Sequence, residues 1–422
     1  MEKIKPMLFT SLKGYKGKDF AKDVIAGIIV AIVALPLSIA LALASGVGPE
    51  EGLYTAIIAG FIISALSGSP VQIAGPTAAF ATTVAGIVAV KGMSGLMLAT
   101  VMAGIILIVM GLCRLGSLIK YIPYTITTGF TAGIALTIVI GQMKDFCGVS
   151  YPKGMSPIET PEKIMAFAEG IGSFNLWAVL VGLISLAVLI LWPKINKTVP
   201  PSLIAIVVSV CLVLFAKLPV NTIGDLYTVS NALPTLHIPQ FEIKTLLSLL
   251  PDALSIAILA AIESLLSCVV ADSMLNDKHR SNTELVAQGV GNIGSALFGG
   301  IPATGAIART AANIKSGGKS PIAGMVHAVV LLIILVVLMP YAAMIPMPTI
   351  AAVLFMVSYN MCGWRTVVKT AKEAPKTDFA ILLLTLVLTV IFDLVVAIAV
   401  GLVIHYAILL VKGLKSNKSQ KN

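Results

Sequence analysis

The chain has 422 residues, of which 58% are hydrophobic and only 11% charged, with a mean hydropathy of +1.00 and a net charge of +10. Soluble domains run near 45 to 50% apolar and about 25% charged, so this composition excludes a soluble globular protein and describes a polytopic membrane protein. The basic excess calls for no nucleic acid, because Lys and Arg collect in cytoplasmic loops and are drawn to anionic headgroups of the bilayer.

Residues 1–22 read as a basic cytoplasmic segment, too polar for a cleavable signal, with an interfacial helix over 7–20. Apolar runs able to cross a bilayer follow at 23–45, 52–67, 94–114, 122–143, 174–192 and 201–217. A polar extracytoplasmic connector, 218–249, carries LPVNTIGD and HIPQFEIK. Further runs lie at 250–272, 284–299, 320–341, 347–361, 378–392 and 393–411, and a cytoplasmic basic tail closes the chain at 412–422. Two shorter, broken runs at 76–90 and 304–316 bring the total to fourteen, an all-α chain.

Positive charge tests that count. With the N-terminus inside, 22 of the 29 Lys and Arg fall on the cytoplasmic side: those of the first 22 residues, Arg114, Lys120, Lys194, Lys197, Lys278, Arg280, Lys315, Lys319, Arg365, Lys369, Lys372, Lys376 and the tail. Lys91, Lys144, Lys153, Lys163, Lys217 and Lys244 fall outside, and Arg309 lies in the membrane. Both termini are therefore expected to be cytoplasmic, in the cell's inner (plasma) membrane.

The connector divides the spans into a first repeat, 23–217, and a second, 250–411, with seven segments each. Seven is odd, so the second enters from the opposite side, the inverted plan of secondary transporters whose sites form at mid-membrane from discontinuous helices. The third segment of each half is the short one: SPVQIAGPTAAFATTVAGIV and GGIPATGAIARTAANIKSGG. Each has an extended lead containing Pro and Gly, Pro70–Pro76 and Gly299–Gly305, followed by a helix of small residues. A helix that begins at mid-membrane offers free N–H groups and about half a positive charge, which attract an anion. Arg309 sits in the second of these, at a cost of about 2.5 to 3.5 kcal/mol for a charge at a helix centre, so the segment should line a cavity.

Other signals are weaker. Cys113, Cys147, Cys211, Cys268 and Cys362 have no metal-ligand or disulfide spacing. His327 and His405 fall within spans and read as packing residues, with proton relay as the alternative. Glu284, Gln288 and Asn292 recur on one helix face, where they would supply interhelical hydrogen bonds. A membrane-embedded Glu263, with Ser267 one turn on, is a functional candidate, the alternative being a carboxylate that offsets Arg309. No nucleophile and base pair stands within the spans, so no enzyme and no cofactor are expected.

DVIAGIIVAIVALPLSIALALASGVGPEEGLYTAIIAGFIISALSGSPVQIAGPTAAF (Asp23–Phe80) resembles the signature of the SulP sulfate permease (solute carrier 26) family, and AIESLLSCVVADSM through GIPATGAIARTAANIKSGGKSPIAGM (Ala261–Met325) resembles its bacterial members. The resemblance implies fourteen segments in a seven-plus-seven inverted repeat, spans one to four and eight to eleven forming a core domain and spans five to seven and twelve to fourteen a gate. It also implies a homodimer, with an anion held between the third and tenth spans. Carried over by position, Ala74, Gly75, Pro76, Thr77, Ala78 and Ala79 match the third-span end, and Gly305, Ala306, Ile307, Ala308 and Arg309 the tenth-span end. Leu37 and Leu41 stand where many animal members have a glutamine and an aromatic ring. Sodium-coupled relatives carry an acid at the Glu263 position together with hydroxyls; this chain keeps Ser267 but has Ile307 at one such place, which favours a proton over sodium as coupling ion. Most members continue into a cytosolic STAS domain, and this sequence stops at Asn422.

The expected function is a proton-coupled symporter of small inorganic or organic anions such as sulfate, bicarbonate or a C4 dicarboxylate, working by an elevator-like shift of core against gate. An uncoupled anion (chloride) channel or exchanger is the alternative, and a nucleobase permease of the same architecture a further one.

Overall fold

Long runs of Leu, Ile, Val and Ala without interior charge can satisfy their backbone in lipid only as helix, and the computed structural model is helical almost throughout. It describes residues 4–117, 123–152, 155, 157–196, 199–238, 243–392 and 394–419. Lys3, Lys120, Lys153, Lys197 and Lys421, counted above, lie outside the described residues, as do 239–242 of the connector and the outermost residues of both termini.

In chain order the elements are α1 (Leu8–Ser11), α2 (Gly17–Ala44), α3 (Pro49–Leu66), strand β1 (Ala74–Gly75), α4 (Ala78–Leu112), α5 (Tyr124–Cys147), α6 (Thr160–Gly170), α7 (Leu176–Ile195), α8 (Pro201–Ala216) and α9 (Ile223–Leu226). There follow α10 (Ile243–Leu275), α11 (Ser281–Leu297), strand β2 (Thr304–Gly305), α12 (Ile307–Lys315), α13 (Pro321–Ala342), α14 (Met347–Cys362), α15 (Trp364–Glu373), α16 (Lys376–Ile391) and α17 (Leu394–Ser419). Proline opens several of them, at Pro49, Pro201 and Pro321, where the missing N–H has no partner to lose. Left-handed Gly148 and Gly363 close α5 and α14.

Every range read as a span coincides with a helix, and eight described helices are long and apolar enough to cross a membrane: α2, α3, α4, α5, α7, α10 from Thr245, α13, and Met347–Glu373. Two differences have local causes. The runs at 76–90 and 94–114 form one 35-residue element broken at Gly92, whose φ of 68° takes the chain out of helical conformation without a steric penalty. The interfacial helix read over 7–20 is instead the single turn α1, and α2 begins already at Gly17, where the Asp19 carboxylate in its first turn accepts from the Lys16 N–H at 3.2 Å.

Packing sorts the helices into two groups. α2, α3, α4 and α10 to α13 pack on one another; α5, α7, α8, α14, α16 and α17 form the second group. The groups meet chiefly where α14 lies on α2 and α5 on α4. Within the first group α4 and α11 approach backbone to backbone: a Cβ at Gly104 would stand 2.6 Å from the Gly289 carbonyl oxygen, and one at Gly289 2.5 Å from that of Gly104. A valine at Gly289 must push the helices apart, which costs about 1 to 3 kcal/mol. The Gly289→Val protein should melt several degrees below the parent in detergent; an unchanged melting temperature would contradict this packing.

Beneath the first group's end, Asp23 is buried and its carboxylate accepts from Tyr15 Oη, Ser320 Oγ and the Lys319 N–H. This ties the chain preceding α2 to the start of α13.

Candidate functional site

The two extended leads meet as a two-residue antiparallel ladder. Ala74 pairs with Gly305 and Gly75 with Thr304, and the Ala306 N–H extends it by donating to the Ile73 carbonyl at 2.8 Å. Two helices, α4 and α12, therefore start side by side inside the protein. Extended backbone at this depth must find hydrogen bonds from protein, and α11 supplies them. Fully buried Glu284 accepts from Ser67 Oγ at 2.5 Å, Gly68 N at 3.0 Å and Gln72 Nε2 at 3.3 Å, which fixes the first lead. Asn292 clamps the second lead with both amide atoms, donating to the Ala303 carbonyl at 2.9 Å and accepting from its N–H at 2.8 Å. The polar stripe on α11 thus makes the interhelical bonds its spacing suggested, directed at the broken segments. Truncating Glu284 to Ala would take the acceptor from Ser67 Oγ, Gly68 N and Gln288 Nε2, at about 1 to 3 kcal/mol each, and leave Gln72 Nε2 with the Ser264 carbonyl alone. The Glu284→Ala protein should express poorly or melt well below the parent, measured by thermal shift; parent-like melting would contradict the clamp.

Side chains from neighbouring helices complete the scaffold. Thr310 Oγ1 accepts from Ile73 N at 3.1 Å, Asn313 Nδ2 donates to the Val71 carbonyl at 2.9 Å, and Ser267 Oγ donates to Gln72 Oε1 at 2.9 Å. Gly305 is required at the crossing, since a Cβ there would collide with the Gln72 amide.

Helix N-termini commonly carry a side-chain cap; neither half-helix has one. Ala306 precedes α12 and has no group to offer. Thr77 precedes α4, but its hydroxyl donates instead to Glu263 Oε2 at 2.7 Å. The first-turn N–H groups of both helices are therefore left without side-chain partners, beside two groups of opposite charge. Arg309, 2% exposed, reaches from α12 to the turn before α4, where Nη2 donates to the Pro76 carbonyl at 3.2 Å and lies 3.4 Å from Ser38 Oγ of α2. Gly75 makes room for it: a Cβ there would strike Nη1.

Among the residues singled out from sequence, Gly75, Ala78, Ala79, Gly305 and Ala306 are buried around the ladder, Thr77 and Glu263 are half-buried, and Ile307 and Ala308 are exposed at the start of α12. The half-helix ends thus have one open side. Leu37 packs against Leu189, Ala205, Ala352 and Val353 of the second helix group, so it lies where the groups meet; Leu41 is buried in the main apolar cluster. Ser267 is fully buried in the Gln72 and Thr310 network, whereas Glu263 is bonded to Thr77. Ser38, Gln72, Thr310 and Asn313 were not singled out. Ser38 follows Leu37 directly and Gln72 lies within the first lead, but nothing in one sequence says which polar residue faces an arginine more than 200 positions away.

Multi-pass helices with paired, uncapped half-helix ends inside them define a membrane transport protein. The Sulfate permease family model matches residues 20–385, and the chain belongs to that family, one of transporters and not enzymes. It is 43% identical over 396 residues to a putative sulfate transporter, YvdB, of Bacillus subtilis, covering 93% of this chain and 74% of that one. Its fold matches the transmembrane domain of a cyanobacterium bicarbonate transporter, BicA, with a TM-score of 0.81 and 32% identity over 91% of this chain and 98% of the other. The murine Solute Carrier 26 family member A9 anion transporter shares the fold at TM-score 0.87 and 18% identity, over 97% and 71% of the two chains. Relatives described as a putative sulfate transporter and a bicarbonate transporter support anion transport for the family to which this chain belongs.

Proposed function

We propose that this protein is a secondary transporter of small oxyanions, with sulfate and bicarbonate the first candidates and a C4 dicarboxylate the third. The observation that carries the reading is the pair of uncapped helix N-termini held side by side by the ladder, with Arg309 between them. Each end contributes about half a positive charge, and Arg309 a full one. The anion would sit over Ala78, Ala79, Ile307 and Ala308 and accept from backbone N–H groups.

Glu263 is the coupling residue in this reading. Its carboxylate shares the N-terminus of α4 with the substrate through Thr77, so ionised Glu263 weakens the field the anion feels and protonated Glu263 does not. Anion and proton then bind together, which is symport. The lack of a hydroxyl at Ile307, and the use of Ser267 by Gln72, argue against a sodium site.

The fourteen helical segments serve as membrane segments in two inverted sets of seven. The first helix group, corresponding to spans one to four and eight to eleven, acts as a core that slides past the second as gate, carrying the site across the membrane as an elevator. The concentration of Lys and Arg supports a topology with both termini in the cytoplasm and the protein in the inner membrane, and the family resemblance supports a homodimer.

Uptake of labelled sulfate, bicarbonate and fumarate into proteoliposomes, under imposed pH and sodium gradients, tests the reading. Accumulation of at least one of them driven by an inward proton gradient is expected. Transport of none, beside large chloride currents, would show a channel instead.

A further inference from the structure

None of the ten residues of α15 is buried, yet its sequence, WRTVVKTAKE, is amphipathic. Trp364, Val367, Val368 and Ala371 recur at the spacing that sets them in one apolar stripe, and Arg365, Lys369 and Lys372 form a cationic row along one flank of it. α15 packs on α5 and α16, but the stripe is not covered: Trp364 is 60% exposed, Ala371 is exposed, and Val367 and Val368 are only partly buried. An isolated helix shorter than about 12 to 15 residues is marginal in water and persists in a protein by covering its apolar face. Something outside the described residues therefore lies against this one.

Connectivity says where the helix lies. Gly363 alone separates it from α14, and its left-handed φ of 58° turns the chain out of that helix; Ala374 and Pro375 alone separate it from α16. Both neighbours coincide with runs read as membrane spans, so a helix about 15 Å long, tied this closely at each end, stays at the surface where α14 ends and α16 begins. Tyr359, one turn before the end of α14, is 67% exposed at the same level as Trp364. Tyr and Trp with one apolar side and one polar tip gather at a membrane surface. The cationic row, for its part, lacks counterions. Lys369 stands 3.8 Å from Glu373 with both side chains mostly exposed, a pair worth little, and Arg365 and Lys372 form no ion pair among the described residues. Like charges three and four residues apart repel along a helix.

An acyl layer bordered by phosphate groups matches both faces at once. We propose that α15 is an interfacial anchor, with Trp364, Val367, Val368 and Ala371 in the acyl boundary of the cytoplasmic leaflet and the row Arg365, Lys369 and Lys372 on the headgroup phosphates of anionic lipid such as phosphatidylglycerol. The long stems of Arg and Lys lie along the apolar surface while their charged ends reach the headgroups. α5, α14 and α16 all belong to the second helix group, so the anchor holds that group at a fixed depth while the first moves. That last consequence rests on the transporter reading above; the anchor itself does not.

The test reconstitutes the full chain in phosphatidylcholine vesicles that carry a minor fraction of lipid brominated on its acyl chains, either phosphatidylglycerol or phosphatidylcholine. Quenching owed to Trp364 is the difference between the parent and the Trp364→Phe protein. Both brominated lipids are expected to quench it, phosphatidylglycerol at least about 3-fold more strongly at low salt, with the preference fading as salt screens the row. The triple variant Arg365→Gln, Lys369→Gln, Lys372→Gln keeps residues of similar helix propensity, so it should still be quenched by phosphatidylcholine and should lose the preference. Equal quenching by the two lipids in the parent, or a preference unchanged in the triple variant, overturns the headgroup site. No quenching by either lipid overturns the anchor, and shielding of Trp364 from aqueous iodide in that case would put a second copy or another protein over the stripe. Uptake of labelled sulfate and bicarbonate, followed in the same vesicles, should rise with phosphatidylglycerol in the parent and not in the triple variant. Absence of uptake from every sample would sink the transporter reading, while the quenching would still decide the anchor.

Discussion

Replacing Arg309 with alanine should lower anion affinity roughly 10- to 150-fold, the equivalent of losing one charge-assisted interaction of about 1.5 to 3 kcal/mol. The fold should survive. Arg309 accounts for two side-chain contacts, to Pro76 and Ser38, and one of its nitrogens has no described partner. Removing a buried cation that has no ion pair among the described residues relieves desolvation, so melting should stay within a few degrees of the parent. Lysine should rescue only in part, because a point charge on a flexible stem cannot hold the Pro76 carbonyl and face the substrate in one fixed plane. Equilibrium binding of sulfate and bicarbonate to purified Arg309→Ala and Arg309→Lys checks both statements. Parent-like affinity in the alanine protein would mean that the helix ends suffice alone.

The second large effect is expected at Glu263. A carrier that moves one proton per monoanion in electroneutral symport can concentrate that anion about tenfold for each unit of pH difference, since one unit is worth about 1.4 kcal/mol. Glu263→Gln keeps an oxygen to accept the Thr77 hydroxyl, so the start of α4 should hold its geometry, but the titratable charge is gone. Exchange of anion for anion should persist in that protein, and accumulation driven by a pH gradient should fall to the equilibrium ratio. The sign follows from charge: protonation removes a negative group from beside α4, so acid on the uptake side favours loading in the parent and has no such effect in the variant. Accumulation that follows the pH gradient unchanged in Glu263→Gln, or that follows sodium in the parent, would move coupling elsewhere.

Much of this was legible in the residues, for identifiable reasons. Helix positions followed from unbroken apolar runs, whose backbone has one solution in lipid. Both half-helices were marked by Pro and Gly at depth, and Arg309 stood out by its cost. The ladder between them was not legible: a two-residue strand has no periodicity, and its partner lies far along the chain, with Ala74 opposite Gly305 and Gly75 opposite Thr304. The partner of Thr77 was not legible either: the fold brings Glu263, 186 residues away, within reach of its hydroxyl. The four-residue spacing of Glu284, Gln288 and Asn292 gave their shared face, but not that the face holds the two extended leads. His327 read from sequence as a packing residue, with proton relay as the alternative; that it is buried with neither ring nitrogen partnered among the described residues is visible only in the fold.

The most direct measurement is the position of a bound anion. Selenate, a heavy analogue of sulfate, can be located by its anomalous scattering in crystals of the full chain. A peak within hydrogen-bond reach of the first N–H groups of both α4 and α12, on their open side beside Arg309, is the predicted result. Selenate bound only elsewhere, with the two helix ends unoccupied at saturating concentration, would contradict the account.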